Sequence, residues 1–301
     1  MSKENAMKVE AGTPEWRGMI TASKVPVILG LSPWQSQFAL WHEMRGEVEP
    51  EPFSEEIGKR GHLAELMLGP WWVVEHPGYS LGVDGERDHE VPFWNDDLPF
   101  PNQVLCDFVA TGPDGEKVII ECKTTTDLDT WANEDGEPEL PAHYAAQVLF
   151  QMGVSGIHRA ELIVMGAFFQ VETYTVEWDE ELWETLVARC EEWWESLQSG
   201  EPPELDDTVA TLKTLRKLHP DIERGAEVEV DSMFASKLLA AKRAVEDAEK
   251  KLTSYQIVAL DMMGAAQKMV CGGEKIADRR NGAHGVNFVI NKKAKVNTNE
   301  Q

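Results

Sequence analysis

Glu121-Cys122-Lys123 ends a β-prone run over residues 117–123. Side chains alternate along a strand, so Glu121 and Lys123 share one face while Cys122 points away. A second β-prone run, 104–110, carries Asp107 and is joined to the first through Gly112-Pro113-Asp114-Gly115, a turn sequence. Antiparallel pairing of the two runs brings the Asp107 carboxylate beside Glu121. Magnesium prefers oxygen ligands and keeps several waters, so converging carboxylates on a sheet edge suit an open catalytic metal site. Phosphodiester hydrolysis needs a nucleophilic water, charge stabilisation on the phosphoryl oxygens and relief at the leaving oxygen. A metal addresses each of these needs, and an amine such as Lys123 orients or activates the water. Asp114 competes with Asp107 for the role of metal acid, but Pro113-Asp114-Gly115 fits the hairpin turn itself, which favours Asp107. Taken alone, a short Asp…Glu-x-Lys pattern also describes a solvated strand with a surface ion pair.

The elements that must position these residues read as helices, strands, helix, strands, helix: a mixed α/β (α+β) sheet flanked by helices. Thr13-Pro14-Glu15-Trp16-Arg17 opens a helix, and Ile20-Thr21-Ala22-Ser23 offers a hydroxyl to cap the next. Amphipathic helices follow over 37–45 and 54–74, the second carrying Gly61-His62-Leu63-Ala64-Glu65 and bent or interrupted near its end by Pro70. Residues 79–82, 90–93, 104–110 and 117–123 read as a meander of antiparallel strands. A helix over 141–154, paired strands over 160–165 and 168–176, and a Trp-bearing helix over 180–199 complete a core of residues 14–200. Gln198-Ser199-Gly200-Glu201-Pro202-Pro203 is a linker by composition. The extension, 201–301, reads as a long helix over about 231–270, then a β-hairpin and a basic tail. The aliphatics Leu238, Leu239, Val245 and Leu252 suit a partner-binding or self-associating helix, or equally one packed on its own core.

Composition bounds the alternatives. With 301 residues, 42% of them hydrophobic, the chain is long enough for an α/β core plus an appendage. Its opening residues are polar and no stretch approaches the roughly 18 apolar residues of a membrane span, so a soluble, cytoplasmic protein with no membrane partner is expected. Cys106, Cys122, Cys190 and Cys271 are scattered, without zinc spacing, and fit reduced thiols. The net charge of −25 opposes casual binding to a phosphate backbone. That charge is uneven: residues 172–207 hold thirteen acids against Arg189, whereas 268–301 hold seven Lys/Arg against three acids. A global sum can hide a local cationic path.

Arg17 with Ile20-Thr21-Ala22-Ser23, Gly61 to Glu65, Asp107, Glu121-Cys122-Lys123 and Tyr144-Ala145-Ala146-Gln147 occur in one order. In that order they resemble the YqaJ-type viral recombinase family, which includes lambda exonuclease, within the restriction-endonuclease-like PD-(D/E)xK nucleases. The resemblance covers roughly residues 14–200; Leu105-Cys106-Asp107-Phe108 departs from the family's usual Pro-Asp-Gly block. It implies a restriction-endonuclease-like fold and a metal held by Asp107, Glu121 and the backbone carbonyl of Cys122, whose side chain should be buried and inert. It further implies that Glu65 adds a carboxylate directly or through water, that Gln147 orients the Lys123 amine or the attacking water, and that Arg17 and Ser23 hold a 5′-terminal phosphate. Trp34, after a loop near that entrance, can stack on a base or wedge the duplex, although a tryptophan beside two helices is more often core.

The function so implied is a Mg²⁺-dependent exonuclease, with Mn²⁺ substituting. It would degrade linear double-stranded DNA 5′-to-3′ and leave 3′ single strands for phage-type recombination with a single-strand annealing protein. A ring-shaped homo-oligomer would concentrate positive charge in a channel. CRISPR-adaptation and helicase-coupled nucleases share the Asp…Glu-x-Lys core but commonly carry four cysteines for an iron–sulfur cluster, and the cysteines here lack that spacing. A non-catalytic acidic DNA mimic is the competing class; it predicts no metal-dependent cleavage.

Overall fold

The pleat of one strand explains the layering of the whole first unit. Val118, Ile120 and Cys122 face one helix while Ile119 and Glu121 face another, so a single strand serves two cores. The computed structural model describes residues 9–52, 54–82, 89–133, 135–282 and 285–296; the polar start and the last residues of the basic tail lie outside them. The chain divides into two compact units, Met1–Ile222 and Glu223–Gln301.

In the first unit, α1 (Pro14–Arg17), β1 (Ile20–Thr21), α2 (Val25–Ile28), α3 (Gln37–Met44) and α4 (Glu55–Glu75) precede the strands β2 (Ser80–Leu81), β3 (His89–Phe93), β4 (Asn102–Thr111) and β5 (Lys117–Thr124). Then come α5 (Ala142–Ser155), β6 (Arg159–Met165), β7 (Val171–Glu177), α6 (Glu180–Ser199) and α7 (Val209–Leu218). The seven-stranded sheet runs β1-β4-β5-β6-β7, with β2 and β3 also paired to β4. Only β1–β4 and β5–β6 are parallel, which makes the sheet mixed. The expected meander is corrected here: β2 and β3 do not follow one another across the sheet but lie end to end along β4.

Helix α4 covers one face, setting Ala64, Leu68 and Trp72 against Phe108, Ala110, Val118, Ile120 and Ile163. It approaches closely at Gly69, where a Cβ would lie 2.4 Å from the Phe108 ring. The helix runs on through Pro70 to Glu75, so the proline does not interrupt it. Helix α5 covers the other face with Val148 and Met152 against Cys106, Val109, Ile119, Leu162 and Val164. Thr13 caps α1 and Ser54 caps α4, each accepting a bond from a first-turn amide. Ser23 does not cap α2, as its sequence suggested: Lys24 holds the N-cap position and makes no side-chain cap bond. Residues 168–169, read as strand, lie in a 3₁₀ turn with Phe168 at φ 61°.

In the second unit α8 (Ser232–Met263), capped by Asp231, precedes β8 (Lys268–Cys271), β9 (Glu274–Gly282) and β10 (Gly285–Ile290), which form an antiparallel sheet in the order β10-β9-β8. The helix is thus shorter than expected, ending at Gly264 because residues 268–271 pair with β9. Leu238, Leu239, Val245 and Leu252 are all exposed on it. Among the described residues, no helix is long and apolar enough to cross a membrane.

Candidate active site

The β4–β5 hairpin is zipped from Thr111–Lys117 to Phe108–Ile120 and then opens. The next residues beyond the last pair are Asp107 and Glu121. The Cys122 amide, instead of completing the ladder, donates to Asp107 Oδ2 at 2.7 Å. One carboxylate is thereby locked to the backbone of the strand that carries the other.

Glu121 is 2% exposed and lies against α5. Its Oε1 accepts from Lys123 Nζ at 2.6 Å and from Gln147 Nε2 at 2.5 Å, and its Oε2 accepts from Gln151 Nε2 at 2.8 Å. Gln151, entirely buried, also donates to the Leu105 carbonyl and so ties β4 to the cluster. Gln147 and Gln151 are one helical turn apart and meet the same carboxylate. The sequence reading missed Gln151, though the i,i+4 spacing was available. Lys123 Nζ lies 5.4 Å from the Tyr144 ring centroid.

Electrostatics distinguish the two strands. Burial, and then the Glu121 charge, push the Asp107 carboxyl well above the usual carboxylate range, against the lowering influence of Lys123 and the Cys122 amide. Burial alone would lower the Lys123 amine, but Glu121 and Asp107 outweigh it and hold the amine above its ordinary range, protonated at neutral pH. The Cys122 side chain is buried on the α4 face, and burial followed by the Asp107 and Glu121 charges raises its thiol. A thiol so raised holds little of the reactive thiolate.

On the α4 side Glu65 is also drawn in: its charge is among those raising Asp107, and it lines a cleft of about 250 Å³ with Gly61, Cys122, Lys123 and Thr124. Two histidines the sequence reading did not single out, His62 and His89, lie 3.5 and 3.3 Å from Glu65 Oε2. Asp114 sits in the exposed turn at the far end of the hairpin from Glu121.

Trp34 is not core. It is 69% exposed, packs edge-on against His143, and rims a cleft of about 690 Å³ with Arg60, Thr124, Thr125, Trp131 and Tyr144. A short α2 and the loop after it leave no second layer to cover the indole. Arg17 is engaged by Glu49 at 2.7 Å, while its buried Nε has no hydrogen-bond partner; exposed Ser23 lies 3.2 Å from the Thr21 hydroxyl. Lys24, another residue missed in the sequence, donates to the carbonyls of Trp16, Arg17 and Met19 at 2.7–2.9 Å and pins the Arg17 turn beside Ser23.

Asp107 and Glu121-Cys122-Lys123 thus sit on an antiparallel hairpin of a mixed sheet with one helix on each face. The chain is similar to YqaJ of Bacillus subtilis (strain 168). The two are 26% identical over 235 residues, 76% of this chain and 69% of that protein. No family model matches the chain. Similar solved structures include an alkaline exonuclease from Laribacter hongkongensis, 16% identical with a TM-score of 0.45 over 61% of this chain and 89% of that one. A phage related exonuclease from Haemophilus somnus 129PT is 14% identical, with a TM-score of 0.42 over 60% and 96%.

Proposed function

We propose that the chain is a divalent-metal-dependent exonuclease that digests linear duplex DNA from its 5′ ends and leaves 3′ single strands for recombination by annealing. The observation that carries the reading is the pair formed by half-buried Asp107 and buried Glu121, brought together where the β4–β5 ladder opens, with Lys123 bonded to one of them. Two like charges in a dry place raise Asp107, and a cation relieves that cost better than a proton does once both acids are ionised. The donor set is hard oxygen, which suits Mg²⁺, with Mn²⁺ substituting. Asp107, Glu121, the Cys122 carbonyl and Glu65 would hold the ion, which supplies a nucleophilic hydroxide and charge stabilisation at the phosphoryl oxygens.

The protein's own groups do the rest. A protonated Lys123 is a donor, so it orients the attacking water and offsets phosphoryl charge rather than removing a proton. Gln147 and Gln151 fix the Glu121 carboxylate by donating to one oxygen each. Arg17 and Ser23 receive the 5′-terminal phosphate, Lys24 holding their turn, and Arg17 exchanges Glu49 for the phosphate. Trp34 offers an exposed ring for stacking at the neighbouring cleft. This reading assigns catalysis to residues 14–200 and leaves 201–301 for a single-strand annealing protein or for a ring-shaped homo-oligomer.

The test is digestion of linear duplex DNA carrying a 5′-phosphate on one labelled strand, with Mg²⁺ or EDTA, using wild type and Lys123→Ala. Shortening from the 5′ end is expected, lost in EDTA and reduced on the order of 10²–10⁴-fold in the variant. Shortening from the 3′ end would overturn the polarity. No cleavage of any linear DNA would overturn the enzymatic reading in favour of an acidic DNA mimic.

A further inference from the structure

The described residues contain one further cluster of metal-ligating side chains beside the carboxylate pair. His62 and Glu65 stand one turn apart on α4, and His89 reaches the same place from β3, where its register opposite Phe108 turns its ring toward α4. One ligand atom from each of the three lies within 4.8 Å of the others. Both imidazoles converge on a single oxygen, Glu65 Oε2, with His62 Nδ1 at 3.5 Å and His89 Nε2 at 3.3 Å. The His89 Nε2 atom is buried and makes no hydrogen bond. A buried ring nitrogen beside a carboxylate but outside hydrogen-bond geometry is suited to sharing a cation with it.

We propose that His62, Glu65 and His89 form a second cation site that takes a nitrogen-preferring ion of the first transition row, such as Co²⁺ or Zn²⁺, over magnesium. Ligands about 2.1 Å from a common ion, at tetrahedral or octahedral angles, stand roughly 3.0–3.4 Å apart. The His89 separation falls within that spacing and the His62 separation just beyond it, both longer than a charge-assisted hydrogen bond. The imidazole rings meet edge-on, at 5.0 Å and 64°, so their nitrogens rather than their faces are presented to the carboxylate. His89 is seated on the Phe108 ring, 5.0 Å away, and this fixes its orientation as an outer contact does for a metal-bound imidazole. Glu65 faces the 250 Å³ cleft shared with Lys123 and Thr124, leaving coordination positions open for water or a phosphate oxygen. Two imidazoles and one carboxylate with open positions suit iron, cobalt or zinc, whereas magnesium is held by oxygen.

The site shares Glu65 with the nuclease reading, which it deepens by naming a second ion class, but it stands on metal affinity and not on hydrolysis. The test is therefore made without DNA. Metal-stripped full-length protein is titrated with Co²⁺ at neutral pH, in excess Mg²⁺, followed by calorimetry and by the visible absorption of the bound ion. Wild type, His62→Gln, His89→Gln and Glu121→Gln are compared, with circular dichroism to confirm folding; His62 is half exposed and its variant keeps the test independent of packing.

The wild type should bind Co²⁺ despite the Mg²⁺, with a spectrum of nitrogen ligation. Each histidine variant should weaken it by at least about 10-fold, and Glu121→Gln should keep it. Displacement of Co²⁺ by Mg²⁺ in the wild type, or histidine variants that bind as the wild type does, would overturn the proposal. Co²⁺ binding by a protein that cleaves no DNA would sink the nuclease reading and leave this one standing.

Discussion

Asp107 and Lys123 are perturbed in the same direction for different reasons, and the difference sets the pH behaviour of the site. The Asp107 carboxyl is raised by burial and by Glu121, so between the ordinary aspartate value and its own, the folded chain holds a proton that the unfolded chain has released. Its contribution to stability is complete below the ordinary value, about 4, and is lost as pH rises through the raised one. A divalent ion bound there, as proposed, would take the place of that proton. Thermal unfolding of the metal-free protein should therefore show a fall in stability with rising pH that Asp107→Asn flattens, and Mg²⁺ should protect most at the upper end. Equal protection by Mg²⁺ across the whole range would mean that the ion is not competing for this carboxylate.

At the level of elements, the geometry around Asp107 and Glu121 depends on α4 and α5 clamping one hairpin from opposite sides. Gly69 is the point of closest approach on the α4 side, and a methyl group there meets the Phe108 ring, which in turn supports His89. Gly69→Ala should cost about 1–3 kcal/mol in denaturant unfolding, despite alanine's better helix propensity, because overpacking outweighs it. A stabilised variant would show that α4 can move off β4 freely. Trp34 belongs to the opposite case. It is exposed, so Trp34→Ala should leave stability within about 0.5 kcal/mol while raising KM for duplex DNA, as the loss of a stacking platform does. A large loss of stability with unchanged KM would instead make its contacts with His143 and Tyr144 structural.

For the molecule as a whole, a net charge of −25 must be reconciled with the polyanionic substrate proposed for it. Ring closure would do so by gathering Lys and Arg around a channel while the acidic helix α6 faces solvent. Light scattering at working concentration should then give a mass that is a multiple of the protomer's. A monomer that still digests DNA processively would remove the ring from the account.

What the sequence determined by itself was local. Strand alternation put Glu121 and Lys123 on one face with Cys122 away from them, and the hairpin turn at residues 112–115 preferred Asp107 over Asp114; both follow from a period of two and from turn chemistry. Helix periodicity likewise gave α5 and α6 nearly to the residue. Tertiary structure alone decided the rest. The β4–β5 ladder stops at Phe108–Ile120 because Asp107 captures the Cys122 amide, and no pattern along the chain announces a bond between a side chain and a distant backbone. The His62-x-x-Glu65 spacing was half legible, but His89 arrives from another strand. The order of strands around β4, the strand Lys268–Cys271 in place of a last helical turn, and the exposure of Trp34 were likewise set by what packs against what. Periodicity reports the face a residue takes on its own element, and only the assembled layers determine what that face meets.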